Sequence, residues 1–337
     1  MTSTRVLTGI TTTGTPHLGN YVGAIRPAIA ASQDDSVQSY YFLADLHALI
    51  KASDPKRVQQ SRLEIAATWL ALGLDTDNAT FYRQSDIHET TELAWMLSCV
   101  CAKGLMNRAH AYKAAVTDNE ENGSPDPDRG ITMGLFSYPV LMAADILLFN
   151  ANRVPVGRDQ VQHIEMARDM AGRFNHVYKG NYFTLPEAVV DERVQTLNGL
   201  DGRKMSKSYD NTIPLFCSEK KLLKLIRRIK TNSLEPGEPK DPDTCTLFQI
   251  YSAFASEDEE QAMRDRYVEG IGWGDAKNAV FEHLNAQLEG PRGEYERLMQ
   301  DPGHIESVLQ KGAERARGEA SALLERLRPA VGLGRFV

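Results

Sequence analysis

The chain has 337 residues, 42% hydrophobic, 25% charged and 8% aromatic, a globular composition that excludes a disordered, collagen-like or coiled-coil protein. No run of about 18 apolar residues occurs, so no membrane span is expected, and the N-terminus enters a strand-like run without a secretory apolar segment. The formal net charge of −7 argues against broad nucleic-acid affinity, so any RNA contact must use a local basic patch.

The first two thirds alternate between strand and helix patterns. Val6-Leu7 reads as a strand ending at Gly9, and a glycine-rich turn leads to a helix with Thr15 as N-cap and Pro16 as first residue. Pro27 lies inside that helix pattern and removes one of its hydrogen bonds. Residues 40–44 form a second continuous β-prone run, a helix follows from Asp54-Pro55 to about Leu72, and residues 80–83 are a third strand. A helix over 89–101 precedes a polar, acidic loop at 118–130. Then come an apolar helix (131–149), a short strand (154–156) and a helix from Asp159 to about Phe174. After Leu215 strand patterns cease, and helices fill the rest with breaks at 235–243 and at Gly290-Pro291. The βαβα order predicts an α/β fold: a Rossmann-like parallel sheet domain over 1–215, and a C-terminal all-helical domain over 216–337. Cys99, Cys101, Cys217 and Cys245 make no metal-binding spacing and read as small buried hydrophobes in a reducing cytosol; no metal site is expected.

Two loops carry the chemistry. Residues 9–20 follow a strand and open a helix, where free N–H groups and the positive helix end can hold phosphate; Gly-rich strand-to-helix turns also occur without a ligand. His17 and Asn20 lie three apart and project to one side. Gly202-Arg203-Lys204-Met205-Ser206-Lys207-Ser208 brings charge and hydroxyls that suit a clamp on polyphosphate, or equally a solvated basic loop.

Asp145 sits in an otherwise apolar helix and needs a partner there, or a water-facing position. Tyr138 and Met142 lie on adjacent turns of the same helix. Asp45 and His47 follow the second strand, and Gly157 to Gln160 form another strand-to-helix turn, so both groups fall at the carboxyl edge of the predicted sheet. Finally, Lys220, Lys221, Lys224, Arg227, Arg228 and Lys230 line one face of a helix whose other face is apolar. That pattern suits phosphate contact with RNA or an ordinary amphipathic surface helix.

Together the two loops resemble the HIGH-type and KMSKS signatures of class I aminoacyl-tRNA synthetases, here His17-Leu18-Gly19-Asn20 and Lys204 to Ser208. Residues 138–147, 154–160, His163-Ile164-Glu165 and the tail 332–335 are similar to the bacterial tryptophanyl branch of that class, and the resemblance covers nearly the whole chain. It implies a cytoplasmic homodimer that joins L-tryptophan to tRNA(Trp) with ATP and Mg²⁺. The first domain then carries ATP, tryptophan and dimer contacts, and the second reads the anticodon.

By the same resemblance His17, Asn20, Lys204 and Lys207 are catalytic, with His17 and the two lysines as charge stabilisers. Thr11, Thr12, Thr13, Gly19, Asn20, Gly157, Arg158, Asp159, Val194, Lys204, Met205, Ser206, Lys207 and Ser208 meet ATP. Gly9, His47, Tyr138, Met142, Asp145 and Gln160 meet tryptophan, Asp145 accepting the indole N–H. Lys113 resembles a lysine that meets pyrophosphate. Thr11 to Thr13 replace the Gln-Pro-Ser of familiar relatives, and Arg158 replaces an acidic residue. A tyrosine-specific sibling, a small-molecule adenylyltransferase and a catalytically silent RNA-binding paralogue are the alternatives.

Overall fold

The computed structural model describes residues 4–190 and 196–336. β1 (Thr4–Thr11) leads into α1 (Leu18–Asn20), a π-helical turn (Tyr21–Ile25) and α2 (Arg26–Ser32). β2 (Val37–Ala44) is followed by α3 (Asp45–Ala48) and α4 (Pro55–Ala71). After β3 (Thr80–Arg83) come α5 (His88–Val100), α6 (Lys103–Met106), α7 (His110–Glu121) and α8 (Met133–Leu148). β4 (Arg153–Pro155), α9 (Val161–Val177) and β5 (Glu187–Val189) complete the sheet. The remainder is α10 (Glu219–Arg228), α11 (Thr246–Ser252), α12 (Glu257–Val268), α13 (Trp273–Gln300) and α14 (Pro302–Ala330).

The sheet runs β3-β2-β1-β4-β5, with every neighbouring pair parallel. Strand order reverses between β1 and β4, which opens a crevice beyond their carboxyl ends, where doubly wound sheets bind ligands. β2 carries the longest buried run of the strands, Ser39 to Ala44, because helices cover both faces. Tyr40 and Phe42 pack into the core under α8, while Tyr41 and Leu43 face Trp69 of α4.

Local breakers act differently from the sequence expectation at two prolines. The first helix begins at Leu18, with His17 and not Thr15 as its cap. Pro27 is accommodated because the preceding turn is π-helical: Arg26 N–H bonds to Tyr21 O, and Pro27 falls at the start of α2, where a missing N–H costs little. Gly290-Pro291 does not break α13, which continues to Gln300. Its first half packs Val280, Leu284 and Leu288 against α10 and α11, while Leu298 packs with α4. Burial on both sides outweighs the single lost hydrogen bond. Residues 118–121 belong to α7, so the acidic loop is shorter than expected. Of the four cysteines only Cys217 is buried; Cys99 is exposed, and Cys101 and Cys245 are half-buried.

The C-terminal helices do not stand apart from the sheet. α14 lies along β3, and its Ala313, Ala316, Ala320 and Leu324 share a core with Tyr40, Tyr82 and Phe149. Gly312 permits that approach: a methyl group there would overlap the Phe81 carbonyl. A second core joins Leu18 and Val22 of the first loop region to Met205, Ile213, Leu222 and Leu284.

Candidate active site

The loop after β1 and the lysine-bearing loop meet because the chain segment 213–215 is stitched to the start of α1. Leu18 N–H donates to Ile213 O at 3.0 Å, and Leu215 N–H to Pro16 O at 3.0 Å. Met205 is buried in the same core as Leu18, and Met205 N–H donates to Leu197 O at 2.8 Å. Asn211 holds the loop from beneath. Its side-chain oxygen accepts from Ser206 N–H at 2.8 Å, and its amide donates to Asp201 at 2.7 Å and to Lys204 O at 3.1 Å. Lys207 then reaches across 194 positions of sequence, its Nζ donating to Thr13 O at 3.0 Å. Gly14 sits beneath it at φ 102°, and a side chain there would crowd both Lys207 Nζ and Arg57.

His17, Gly19, Asn20, Lys204, Met205, Ser206, Lys207 and Ser208 all border one cavity of about 770 Å³, with Gly9, Thr11, Thr13 and Asp159 on its remaining walls. His17 Nδ1 accepts the Asn20 N–H at 3.3 Å, and Asn20 Oδ1 accepts the His17 N–H at 3.1 Å. This reciprocal cap commits Nδ1 as an acceptor, so Nε2 carries the ring proton and is the remaining donor. Burial, with the charge of Lys207 adding to it, lowers the His17 pKa to about 4.

His17 is therefore neutral at pH 7, and what it can offer to growing charge is the Nε2–H donor and not a cation. The unfolded chain, with its ordinary value of 6.5, takes up the proton first. Stability from this group is present above about 6.5 and is lost as pH falls toward about 4. An NMR titration of the His17 ring protons is expected to show a midpoint near 4; one near 6.5 would place the ring in open solvent. The positive charge comes from Lys204 and Lys207. Burial lowers the Lys207 pKa, with nearby Arg57 acting in the same direction.

An adjoining cavity of about 490 Å³ shares Gly9, Thr11, Thr13 and Ala24 with the first and runs inward over the sheet. It is bordered by His47, Tyr138, Met142, Asp145, Gly157 and Gln160, together with Phe42, Ile146 and Val154. Asp145 is 3% exposed and has found its partners. His47 Nε2 lies 2.9 Å from Oδ2, and Gln84 Nε2 lies 2.8 Å from Oδ1 and 2.9 Å from Oδ2. Burial raises the Asp145 pKa, and the His47 and Gln84 hydrogen bonds oppose that rise. Tyr138 Oη pairs with the buried His163 Nε2 at 2.7 Å, which fixes its ring against the cavity.

Three expected residues fall elsewhere. Thr12 is buried and borders neither cavity; it is the first residue past the end of β1, and Thr11 and Thr13 on either side of it border both cavities. Arg158 also lies off both linings, though Gly157, Asp159 and Gln160 beside it are on them. Lys113 is exposed on α7 and borders neither. Val194 lies outside the described residues. Gln84, Asn211, Arg57 and Ser61, whose hydroxyl accepts Gly14 N–H at 3.0 Å, were not anticipated. The one available sign was the place of Gln84 directly after a strand, at the ligand edge. No group of three or more His, Cys, Asp or Glu among the described residues could hold a metal ion.

A doubly wound parallel sheet with a helix-opening loop and a lysine-bearing loop meeting at its switch point is the site of a nucleotide-binding α/β protein. Comparison with known proteins narrows the class. The family profile described as tRNA synthetases class I (W and Y) matches residues 1–289. A Pseudomonas putida protein named tryptophan–tRNA ligase is 63% identical over 336 residues, 99% of this chain and 75% of that protein. A relative of the same name from Xanthomonas axonopodis is 62% identical over 332 residues, 98% of this chain and 77% of that protein. Among solved structures, tryptophanyl-tRNA synthetase from Campylobacter jejuni complexed with ADP and tryptophan is 42% identical. It matches with a TM-score of 0.89, covering 98% of this chain and 100% of that one. The chain belongs to the class I tRNA synthetases of the tryptophan and tyrosine type.

Proposed function

We propose that the chain is a tryptophan–tRNA ligase, which activates L-tryptophan with ATP and transfers it to tRNA(Trp). The observation that carries the reading is the junction of two cavities: a cationic outer one bordered by both signature loops, and an inner one, floored by apolar side chains, that ends on a buried carboxylate. The tryptophan carboxylate, held at the junction near Gly9, attacks the α-phosphorus of ATP in line. The new C–O–P bond forms as the bond to the bridging oxygen breaks, and pyrophosphate leaves with the charge. A 3′-terminal adenosine hydroxyl of tRNA then takes the aminoacyl group, and AMP leaves.

Catalysis by these residues is positioning and electrostatics. His17 Nε2–H and the Lys204 and Lys207 ammonium groups donate to oxygens whose charge grows during the attack. Ser206 and Ser208, whose hydroxyls lie 2.8 Å apart, add neutral donors. Mg²⁺ would arrive with ATP as part of the substrate and would supply charge neutralisation on the polyphosphate tail.

Indole has one donor and no acceptor, so a buried carboxylate acceptor is the polar group that reads it. Tyr138, Met142 and Ile146 supply the walls. The exposed cations of the α10 region, with Leu222, Leu225, Ile226 and Ile229 buried behind them, suit contact with tRNA phosphates by charge. The 62–63% identity to proteins named tryptophan–tRNA ligase supports tryptophan over tyrosine. The division into catalytic 1–215 and anticodon-binding 216–337 parts is kept for function, although α14 packs on the sheet. Homodimer formation is part of the same proposal, and no helix among the described residues is long and apolar enough to cross a membrane.

An amino-acid panel in ATP–pyrophosphate exchange tests the reading. Exchange driven by tryptophan, with tyrosine and phenylalanine near background, is expected. Exchange driven best by tyrosine, or by none of the twenty, would overturn it.

A further inference from the structure

We infer that Gln84 is a positioning residue for amino-acid selection, fixing the direction in which Asp145 offers its carboxylate to the indole N–H; the inference rests on the tryptophan reading above. Gln84 lies in the turn directly after β3, is 1% exposed, and does not border the cavity. Its amide orientation is forced. Oε1 accepts the backbone N–H groups of Leu46 at 3.1 Å and His47 at 3.4 Å, so a flipped amide would set NH₂ against two donors. Nε2 must then face Asp145, where it reaches both carboxylate oxygens.

One donor held against both oxygens fixes the plane of the carboxylate, and His47 adds a third contact to Oδ2. A single amide thus joins three elements at the site: the end of β3, the start of α3 and the last turn of α8. The next residue repeats the arrangement on a second buried carboxylate, Ser85 donating to Asp45 from its backbone N–H at 2.9 Å and its hydroxyl at 2.6 Å. Asp145 has few rotational alternatives while Gln84 is present. Without it, the carboxylate keeps only His47 in a buried setting. It can then turn, or take up a proton and point a donor at the indole N–H. Either change weakens recognition of that one group and leaves the apolar walls as they are.

The test compares tryptophan with 3-benzothienylalanine, which has sulfur in place of the indole N–H and nearly the same shape. ATP–pyrophosphate exchange is measured for the wild type, for Gln84→Met, and for Gln84→Glu, which keeps an acceptor for the α3 amides should the methionine variant fail to fold. Thermal melts report folding. In a folded variant the preference for tryptophan over the analogue is expected to fall about tenfold to a hundredfold, with the loss in KM for tryptophan rather than in kcat. A merely structural role would lower both substrates alike. An unchanged preference in a folded variant overturns the inference alone. A wild type with no preference for tryptophan over the analogue overturns the indole reading of Asp145, and this inference with it.

Discussion

Asp145→Ala is expected to lower the preference for tryptophan over phenylalanine by on the order of 10²-fold or more, read as the ratio of kcat/KM values in ATP–pyrophosphate exchange. A site built to hydrogen-bond a substrate N–H rejects an analogue lacking it by on the order of 10⁴, because the buried polar group is left unpaired. Asp145 is such a group: it is held among Ala144, Ile146 and Leu147, all buried, and oriented by His47 and Gln84. Removing it leaves shape alone to separate indole from phenyl, which hydrophobic pockets do weakly. The substitution also strands the Gln84 and His47 donors, so some loss of stability accompanies the loss of selectivity. Retained discrimination in a folded variant would clear Asp145 of the task.

Lys207→Ala is the second large effect. Adenylate formation, followed in single turnovers with saturating tryptophan, is expected to slow by about 10²–10³-fold, while the dissociation constant for tryptophan changes little. The separation follows from position: Lys207 Nζ stands over Thr13 O in the outer cavity, and the Asp145 end of the inner cavity does not include it. The ammonium acts on charge that grows only as pyrophosphate leaves, so its loss falls on the chemical step. A chemical step of unchanged rate would show that Lys207 is a bystander. A large rise in the tryptophan constant would mean that the loop shapes the inner cavity.

How far the sequence foretold this arrangement depended on the kind of interaction. The parallel sheet was legible through β4 because β2 is a continuous apolar run and β1, β3 and β4 alternate with helices, whereas the three-residue edge strand β5 was not read. The two loops were legible as a pair, since each is a compact motif with its own chemistry. Their meeting was implied by the family resemblance and not by the residues themselves. It rests on backbone hydrogen bonds between Pro16-Leu18 and Ile213-Leu215, and backbone groups leave no residue-type signal. Gln84 was missed for a similar reason: one glutamine after a strand looks ordinary until α3 and α8 are brought beside it. Pro291 was misjudged because burial of the surrounding helix, which a local pattern does not report, decides whether a breaker breaks, and the π-helical turn that accommodates Pro27 leaves no local pattern either. Thr12 was assigned with its neighbours as a block, and the turn past the end of β1 that buries it leaves no residue-type signal.

Convergence of the two loops on one triphosphate is tested most directly by a crystal structure of the chain with tryptophan and a non-hydrolysable ATP analogue. One polyphosphate tail within hydrogen-bond reach of both His17 Nε2 and Lys207 Nζ is predicted. A tail bound by one of them, with the other facing a separate space, would contradict it.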